Sequence, residues 1–218
     1  KVMHVGGSPA MRRSPPIAPS RHAAQLATKQ FAKSGDLDVV NGLYRATVED
    51  VLGGLKQLRY RNVPSWGSAE VEELEATLSE IACPLITRVD LSGCSGLPKL
   101  PDALVRLGAL QHLHLERCVG LIELPTSLGQ LLMLQSINLD ECANLTGLPE
   151  SVGELGALVT LSLCGCLGIV TLPASLAKLG ALRTLDLDRC ATLILLPDSI
   201  GDLGALQSLD LRKCMSLD

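Results

Sequence analysis

Residues 134–157 read Leu134-Gln-Ser-Ile-Asn-Leu-Asp-Glu-Cys-Ala-Asn-Leu-Thr-Gly-Leu-Pro-Glu-Ser-Val-Gly-Glu-Leu-Gly-Ala157, and Leu158 starts the same pattern again. The pair Leu-Pro recurs at Leu100-Pro101, Leu124-Pro125, Leu148-Pro149, Leu172-Pro173 and Leu196-Pro197, with a spacing of 24 each time. Inside each unit runs LxxLxLxxCxxL, carried here by Leu134, Ile137, Leu139, Cys142 and Leu145. The frame fits Leu110–Leu121, Leu158–Ile169, Leu182–Leu193 and Leu206–Leu217, and extends back to Ile86, Val89, Leu91, Cys94 and Leu97, giving six segments in register. The LxL core alternates with period 2, so it predicts a short strand with Leu facing inward. Pro then fixes φ at the start of an outer turn, and the Leu spacing after it suits a 3₁₀ turn or short helix. One unit cannot bury its Leu face alone; stacked units bury a continuous core. The expected fold is an α/β solenoid, a right-handed superhelix with a curved parallel sheet on its concave face.

Composition agrees. The 218 residues are 47% apolar but only 2% aromatic (one Phe, two Tyr and one Trp), so aliphatic side chains supply nearly all the packing, and 20 Gly and 12 Pro punctuate it. Few rings argue against single-stranded nucleic-acid binding, which uses them as stacking platforms. No apolar run approaches the ~18 residues of a membrane helix, so the chain reads as soluble, with no membrane partner. There is no signal-peptide pattern near Lys1 and no initiating Met, from which a fragment or processed chain is expected. The net charge of -4 hides an asymmetry. Residues 1–65 carry ten Lys/Arg and four Asp/Glu, whereas residues 66–218 carry nine and nineteen. An acidic body argues on charge grounds against DNA binding by the repeats, and the basic head has either an acidic partner or its own body to dock on.

The head is divided from the repeats at residue 66, giving residues 1–66 as an irregular and helical region and 67–218 as the solenoid. Residues 1–22 hold Pro9, Pro15, Pro16 and Pro19 and read as irregular chain. A short Ala-rich helix is expected over 23–34, and Val48, Val51, Leu52, Leu55 and Leu58 are spaced for one face of another, weakened by Gly53-Gly54. Ser68 is the expected N-cap of a helix over 68–83, with Val71, Leu74, Leu78 and Ile81 as its apolar stripe and Pro84 as its stop. That helix is read as a cap over the first coil, since an open end exposes the Leu core.

The unit Leu196-Pro-Asp-Ser-Ile-Gly-Asp-Leu-Gly-Ala-Leu-Gln-Ser-Leu-Asp-Leu-Arg-Lys-Cys214 resembles the leucine-rich repeats of plant intracellular nucleotide-binding immune receptors, in which Cys often stands where other classes have Asn. It is also similar to leucine-rich repeats of some bacterial effectors. The resemblance covers roughly residues 86–218 and implies a protein-interaction or ligand-recognition module in plant innate immunity, sensing effectors or holding a receptor inhibited. The alternative it leaves open is the substrate-recognition repeat domain of an E3 ubiquitin ligase or pathogen effector. An adjoining nucleotide-binding domain or ligase domain in the parent sequence separates the two. A designed consensus array is disfavoured by the irregular head.

Candidate chemistry is sparse. Six of the eight Cys (Cys94, Cys118, Cys142, Cys166, Cys190 and Cys214) occupy one repeat position, so packing explains them; the spacing of 24 matches no zinc motif. Neighbouring Cys side chains point the same way, which is poor disulfide geometry. A row of buried free thiols favours a reducing compartment, and a cytoplasmic location is expected. Cys142→Ser is expected to destabilise by roughly 1–3 kcal/mol, a hydroxyl replacing a near-apolar thiol. Cys164, paired with Cys166 in C-x-C, is expected on the concave face and first to react; Cys83 is read as cap core. His112-x-His114-x-Glu116 places three side chains on one face, a spacing that can hold a metal or act as acid and base. An open sheet supplies no pocket to shift a pKa, so a recognition surface is preferred. No GxxxxGK[ST] loop or Gly-x-Ser-x-Gly elbow is present. The expectation is a non-enzyme with no catalytic residues, no metal and no cofactor.

Three outward columns remain: Arg88, His112, Ser136, Thr160, Thr184, Ser208; Asp90, His114, Asn138, Ser162, Asp186, Asp210; and Ser92, Glu116, Asp140, Cys164, Asp188, Arg212. Within these, Arg88, Asp90, His112, His114, Glu116, Asn138, Asp140, Ser162, Cys164, Asp186, Asp188, Asp210 and Arg212 are the candidate partner-binding residues. They are free of packing duty, so specificity resides there. The columns read as mostly acidic, which calls for a protein partner with basic patches; the oligomeric state is left open. Asp186, Asp188 and Asp210 are expected to point into water, so that reversing them to Lys leaves the fold intact.

Overall fold

Each LxL core forms a strand of three residues. A computed structural model describes residues 15–27 and 36–218. The six expected strands are β2 (Arg88–Asp90), β3 (His112–His114), β4 (Ser136–Asn138), β5 (Thr160–Ser162), β6 (Thr184–Asp186) and β7 (Ser208–Asp210), and they are preceded by a seventh, β1 (Gln57–Arg59). All pair in parallel in sequence order within one sheet. Between strands, 3₁₀ turns span Asp102–Arg106, Thr126–Gln130, Glu150–Glu154, Ala174–Lys178 and Asp198–Asp202, each entered from the Pro of a Leu-Pro pair at φ between -60° and -69°. That is the angle the pyrrolidine ring imposes. The inward residues Val89, Leu91, Leu113, Leu115, Leu161 and Leu163 are 0% exposed and join one continuous core.

The ladder Cys have a shared partner. Cys118 Sγ donates to Leu91 O at 3.2 Å, and Cys142, Cys166, Cys190 and Cys214 donate to Leu115, Leu139, Leu163 and Leu187 O at 3.1 Å each. Cys94 donates to Tyr60 O at 2.8 Å. Each thiol thus stitches its coil to the strand exit of the coil before. This revises the energetics of Cys142→Ser. A hydroxyl keeps the donor, so its cost falls toward about 1 kcal/mol, whereas Cys142→Ala orphans the Leu115 carbonyl and is expected to cost more, about 1–3 kcal/mol by chemical denaturation.

All eight Cys are free thiols. Burial pushes Cys142 and Cys190 up to about 12, and raises Cys118 and Cys166 as well. The thiolate is the reactive form, so these four are expected to resist a thiol reagent in the folded protein. Cys164 is only 8% exposed, while Cys214 is partly exposed. The expected order is therefore Cys214 with or ahead of Cys164, not Cys164 alone; fast labelling of the other ladder Cys, read by mass spectrometry, contradicts it.

Ahead of residue 86 the chain departs from several sequence expectations. Helix α1 (Pro19–Ala27) starts inside the stretch expected to be irregular; residues 1–14 and 28–35 lie outside the described residues, so the expected helix over 23–34 is covered only in part. Helix α2 (Asp36–Gly53) ends at the Gly53-Gly54 pair, which leaves Leu55 in a loop and puts Leu58 on β1, not on a helix with Val48. Glycine's backbone entropy is the reason the helix stops there. Leu55, Leu58, Tyr60, Val63 and Trp66 fall on the repeat frame, with Gln57 opposite Arg88, 31 positions on. Helix α3 (Ser68–Glu80) is therefore the outer leg of this longer first coil and packs beside the first 3₁₀ turn. Its N-cap is Gly67, whose N–H donates to Glu70 Oε2 at 2.9 Å, in place of the expected Ser68.

The basic head does dock on the acidic body. Arg21 pairs with Glu73 at 3.1 Å, Arg45 with Glu80 at 3.9 Å, and Arg61 with Asp90 at 3.3 Å. Thr77 Oγ1 donates to Pro16 O at 2.9 Å, and His22 stacks on Tyr44 with centroids 3.7 Å apart. Exposed pairs contribute little. Burial of Ala18, Val48 and Leu52 stabilises the docked head more than the ion pairs do.

Candidate functional site

The paired strands set Arg88, Asp90, His112, His114, Asn138, Ser162, Asp186 and Asp210 in two columns, one residue per coil in each and about 5 Å from its neighbours, while Glu116, Asp140, Cys164, Asp188 and Arg212 lie on the turns just past the strands. Arg88 stands beside His112, which stands beside Ser136; Asp90 stands beside His114, which stands beside Asn138. His112 Nδ1 lies 2.8 Å from Ser136 Oγ, and Asn138 Nδ2 donates to Glu116 Oε1 at 2.7 Å. The two His rings are 6.5 Å apart. Burial, then the Arg88 cation, hold both imidazoles below their ordinary range. Among the described residues no group of three His, Cys, Asp or Glu is placed to hold a metal ion.

Several face carboxylates and amides have a backbone duty that alternation alone does not reveal. Asp90 Oδ1 accepts from Ser92 N at 3.2 Å, Asn138 Oδ1 from Asp140 N at 2.9 Å, Asp186 Oδ1 from Asp188 N at 2.9 Å, and Asp210 Oδ1 from Arg212 N at 3.0 Å. Short Asx side chains suit this contact to the N–H two residues on. Asp140 accepts from Ser162 Oγ at 2.5 Å and from Cys164 N at 3.1 Å. The Asp side chains expected to point freely into water therefore do not. Asp188 is 14% exposed at its side chain, with one oxygen held by Arg189 at 3.1 Å. Reversal to Lys would strip backbone acceptors along with charge.

A further column borders the face. Asn62, Arg117, Glu141, Arg189 and Lys213 have φ of 55–60°, and Gly93 and Gly165 have 77° and 72°. One left-handed residue in each coil, directly before the Cys position, turns the chain off the sheet. Its side chain then lies along the edge of the strand face: Arg117 pairs with Glu141 at 2.9 Å, and Arg189 Nη2 reaches back to Cys164 Sγ at 3.0 Å. Arg212 clamps Asp210 at 2.6 Å. The acidic charge of Asp188 and of Asp210 is thus largely neutralised by Arg189 and Arg212, while Asp186 on β6 has no such partner among the described residues.

A second surface went unread in the sequence. Val119, Ile122, Leu167, Val170, Ile194 and Leu195 are each 40–52% exposed on the loops that leave the Cys position. The backbone ladder joins them, with Ile194 N donating to Val170 O at 3.0 Å. The signal was available: where the second coil has Ser95 and Pro98, later coils carry Val119 and Ile122, or Leu167 and Val170.

Short parallel strands stacked in chain order, an aliphatic core repeating every 24 residues and Pro-led outer turns make this a leucine-rich-repeat solenoid with one polar face. No protein-family model and no curated protein matches the chain. Among solved structures it is similar to the leucine-rich-repeat ectodomain of the plant membrane receptor kinase GASSHO1/SCHENGEN3 from Arabidopsis thaliana, at 24% identity over 72% of this chain with a TM-score of 0.49. It is similar to a leucine-rich-repeat protein of Leptospira interrogans at 21% identity over 94% of this chain (TM-score 0.46), and to internalin C2 of Listeria monocytogenes at 19% over 74%, covering 83% of that protein (TM-score 0.40). The chain spans 18% of the first structure and 56% of the second.

Proposed function

We propose that this chain is a protein-recognition module that binds through the strand-lined face. One observation carries the reading: side chains on that face vary along the array, as Arg88, His112, Ser136 and Thr160 do in one column and Asp90, His114, Asn138 and Ser162 in the next, and most lie outside the apolar core, whereas outer-turn positions such as Ser127, Ser151, Ser175 and Ser199 repeat. The plant-immune setting rests on the Cys-type unit, and a reducing, cytoplasmic location on the buried free thiols. The role is non-enzymatic and needs no cofactor. Within the acidic half of the face, Asp140 and Asp186 lack an arginine clamp among the described residues and supply the contacts for a basic patch on the partner.

A photocrosslinking residue at Ser136, Thr160 or Thr184 is expected to trap a discrete partner, and one at Ser199 is not. Trapping only from the outer turns would sink the proposal. Asp140→Asn with Asp186→Asn keeps each Oδ1 acceptor, so circular dichroism is expected to stay unchanged while association with a basic partner slows by roughly tenfold at low salt.

A further inference from the structure

We propose that the β1–β3 end of the sheet face is a docking site for an acidic, extended segment of the protein partner; this rests on the reading of the face as the binding surface. The recognising groups are Arg59, Arg88, His112 and His114. Strand β1 is what brings Arg59 here, because Arg59 lies in register with Asp90 and His114, and Gln57 with Arg88 and His112. Residues that the sequence assigned to a separate basic head thus belong to the same surface as the concave columns.

Within the strand columns, unsatisfied positive charge distinguishes this end; Arg183 and the bordering Lys213, also without an ion-pair partner among the described residues, lie outside those columns. Among the described residues neither Arg59 nor Arg88 has an ion-pair partner, whereas Arg117, Arg189 and Arg212 farther along the array each have one. The two carboxylates within reach are already engaged. Asp90 accepts from Arg61 at 3.3 Å and from Ser92 N at 3.2 Å, and Glu116 accepts from Asn138 at 2.7 Å. His114 Nε2 is buried without a hydrogen-bond partner. The opposite end differs, since Asp188 and Asp210 carry their own arginines.

Geometry favours an extended acidic segment. Three strands span roughly 10 Å, which three or four extended residues cover, and acidic side chains at alternate positions would lie about 7 Å apart on the side facing the sheet. Charge complementarity in such an encounter sets mainly the association rate and its salt dependence. The imidazoles add a pH response. They face Arg61, Arg88, Asp90 and Glu116, with uncharged Ser136 and Asn138 on the β4 side, and an incoming carboxylate favours their protonated form.

The test uses the whole chain and a fluorescent oligoglutamate peptide, with oligolysine and oligoglutamine controls, read by anisotropy. Saturable oligoglutamate binding is expected, weakening about tenfold or more as salt rises from about 0.05 to about 0.2 M. Arg59→Gln with Arg88→Gln, folded by circular dichroism, is expected to abolish it, while Lys178→Gln, which removes an exposed cation on an outer turn, leaves it unchanged. Affinity is expected to rise several-fold from about pH 7.5 to about pH 6 and to lose that slope in His112→Gln with His114→Gln. Oligoglutamate binding that survives the double arginine variant overturns the proposal, as does the absence of any such binding. Tighter binding of a single-stranded oligonucleotide through the same arginines overturns the assignment to a protein partner. Crosslinks from Ser136, Thr160 or Thr184 without oligoglutamate binding sink this inference alone; no crosslink from any face position sinks the reading of the face itself.

Discussion

Trp66→Ala is expected to destabilise the chain by about 3–5 kcal/mol and to do so from one end. Trp66 is 0% exposed and occupies the frame slot held by Leu97 in the next coil. Its ring lies 4.9 Å from that of Tyr60, itself on β1's side of the same coil. The second coil presses directly on this one: a Cβ at Gly96 would come within 2.6 Å of the Pro64 and Trp66 carbonyl oxygens. Removing the indole leaves a large void that so tight a junction cannot close by small shifts. In a stacked array each coil contacts only its neighbours, so the loss should stay local. Hydrogen exchange is the measurement. Residues 57–80 and helix α2 are expected to lose protection first, while β4, β5 and β6 keep theirs. Trp66→Phe retains an aromatic partner for Tyr60 and should recover roughly half of the loss. Equal loss of protection in every coil would contradict local coupling.

The same coil shows where the sequence stopped being legible and why. From Ile86 onward the period fixes strand, turn and facing of every residue, because the side-chain alternation of a strand and the angle imposed by Pro are local properties. The first coil escapes that reading on three counts. Tyr60 and Trp66 replace leucines, Val63 replaces the Cys, and α3 lengthens the coil from 24 to 31 residues. Leu55 and Leu58 also suit a helical spacing with Val48, so period alone cannot choose between helix and strand there. At the candidate site, alternation gives the two columns that lie on the strands. It is silent about Asp90, Asn138, Asp186 and Asp210 serving backbone N–H groups, and about Arg189 and Arg212 neutralising their own coils. Those contacts lie beside the left-handed residue before each Cys position, and Arg189 is itself that residue. In five coils that residue is not glycine, so nothing in its chemistry announces the turn.

Gly153→Val tests the opposite side of the coil and carries the second-largest expected effect, about 2–3 kcal/mol. The outer turns follow LPxSxG, and the Gly is explained by close approach between coils. A Cβ at Gly153 would lie 2.3 Å from Ser175 O and 2.7 Å from Ser175 Cβ; at Gly129 it would lie 2.4 Å from Ser151 O. Backbone is the obstacle, so a rotamer change cannot relieve it, and adjacent turns must separate. Position 177 shows how far they can. Ala177 stands there in the next coil, and its neighbour Ser199 is less buried than Ser175, whose exposure is 7%. One methyl is therefore tolerable, and Gly153→Ala should cost only about 1 kcal/mol. Gly201 holds the same repeat position with nothing within 4 Å of its would-be Cβ. Gly201→Val in the same chain should change stability by less than about 0.5 kcal/mol. Urea denaturation of Gly153→Val, Gly153→Ala and Gly201→Val decides the matter. A steep order with the last near zero supports coil-to-coil contact as the constraint. Equal losses at 153 and 201 would instead trace the glycine to local turn preference, and the close approach of Ser175 would then have no energetic consequence.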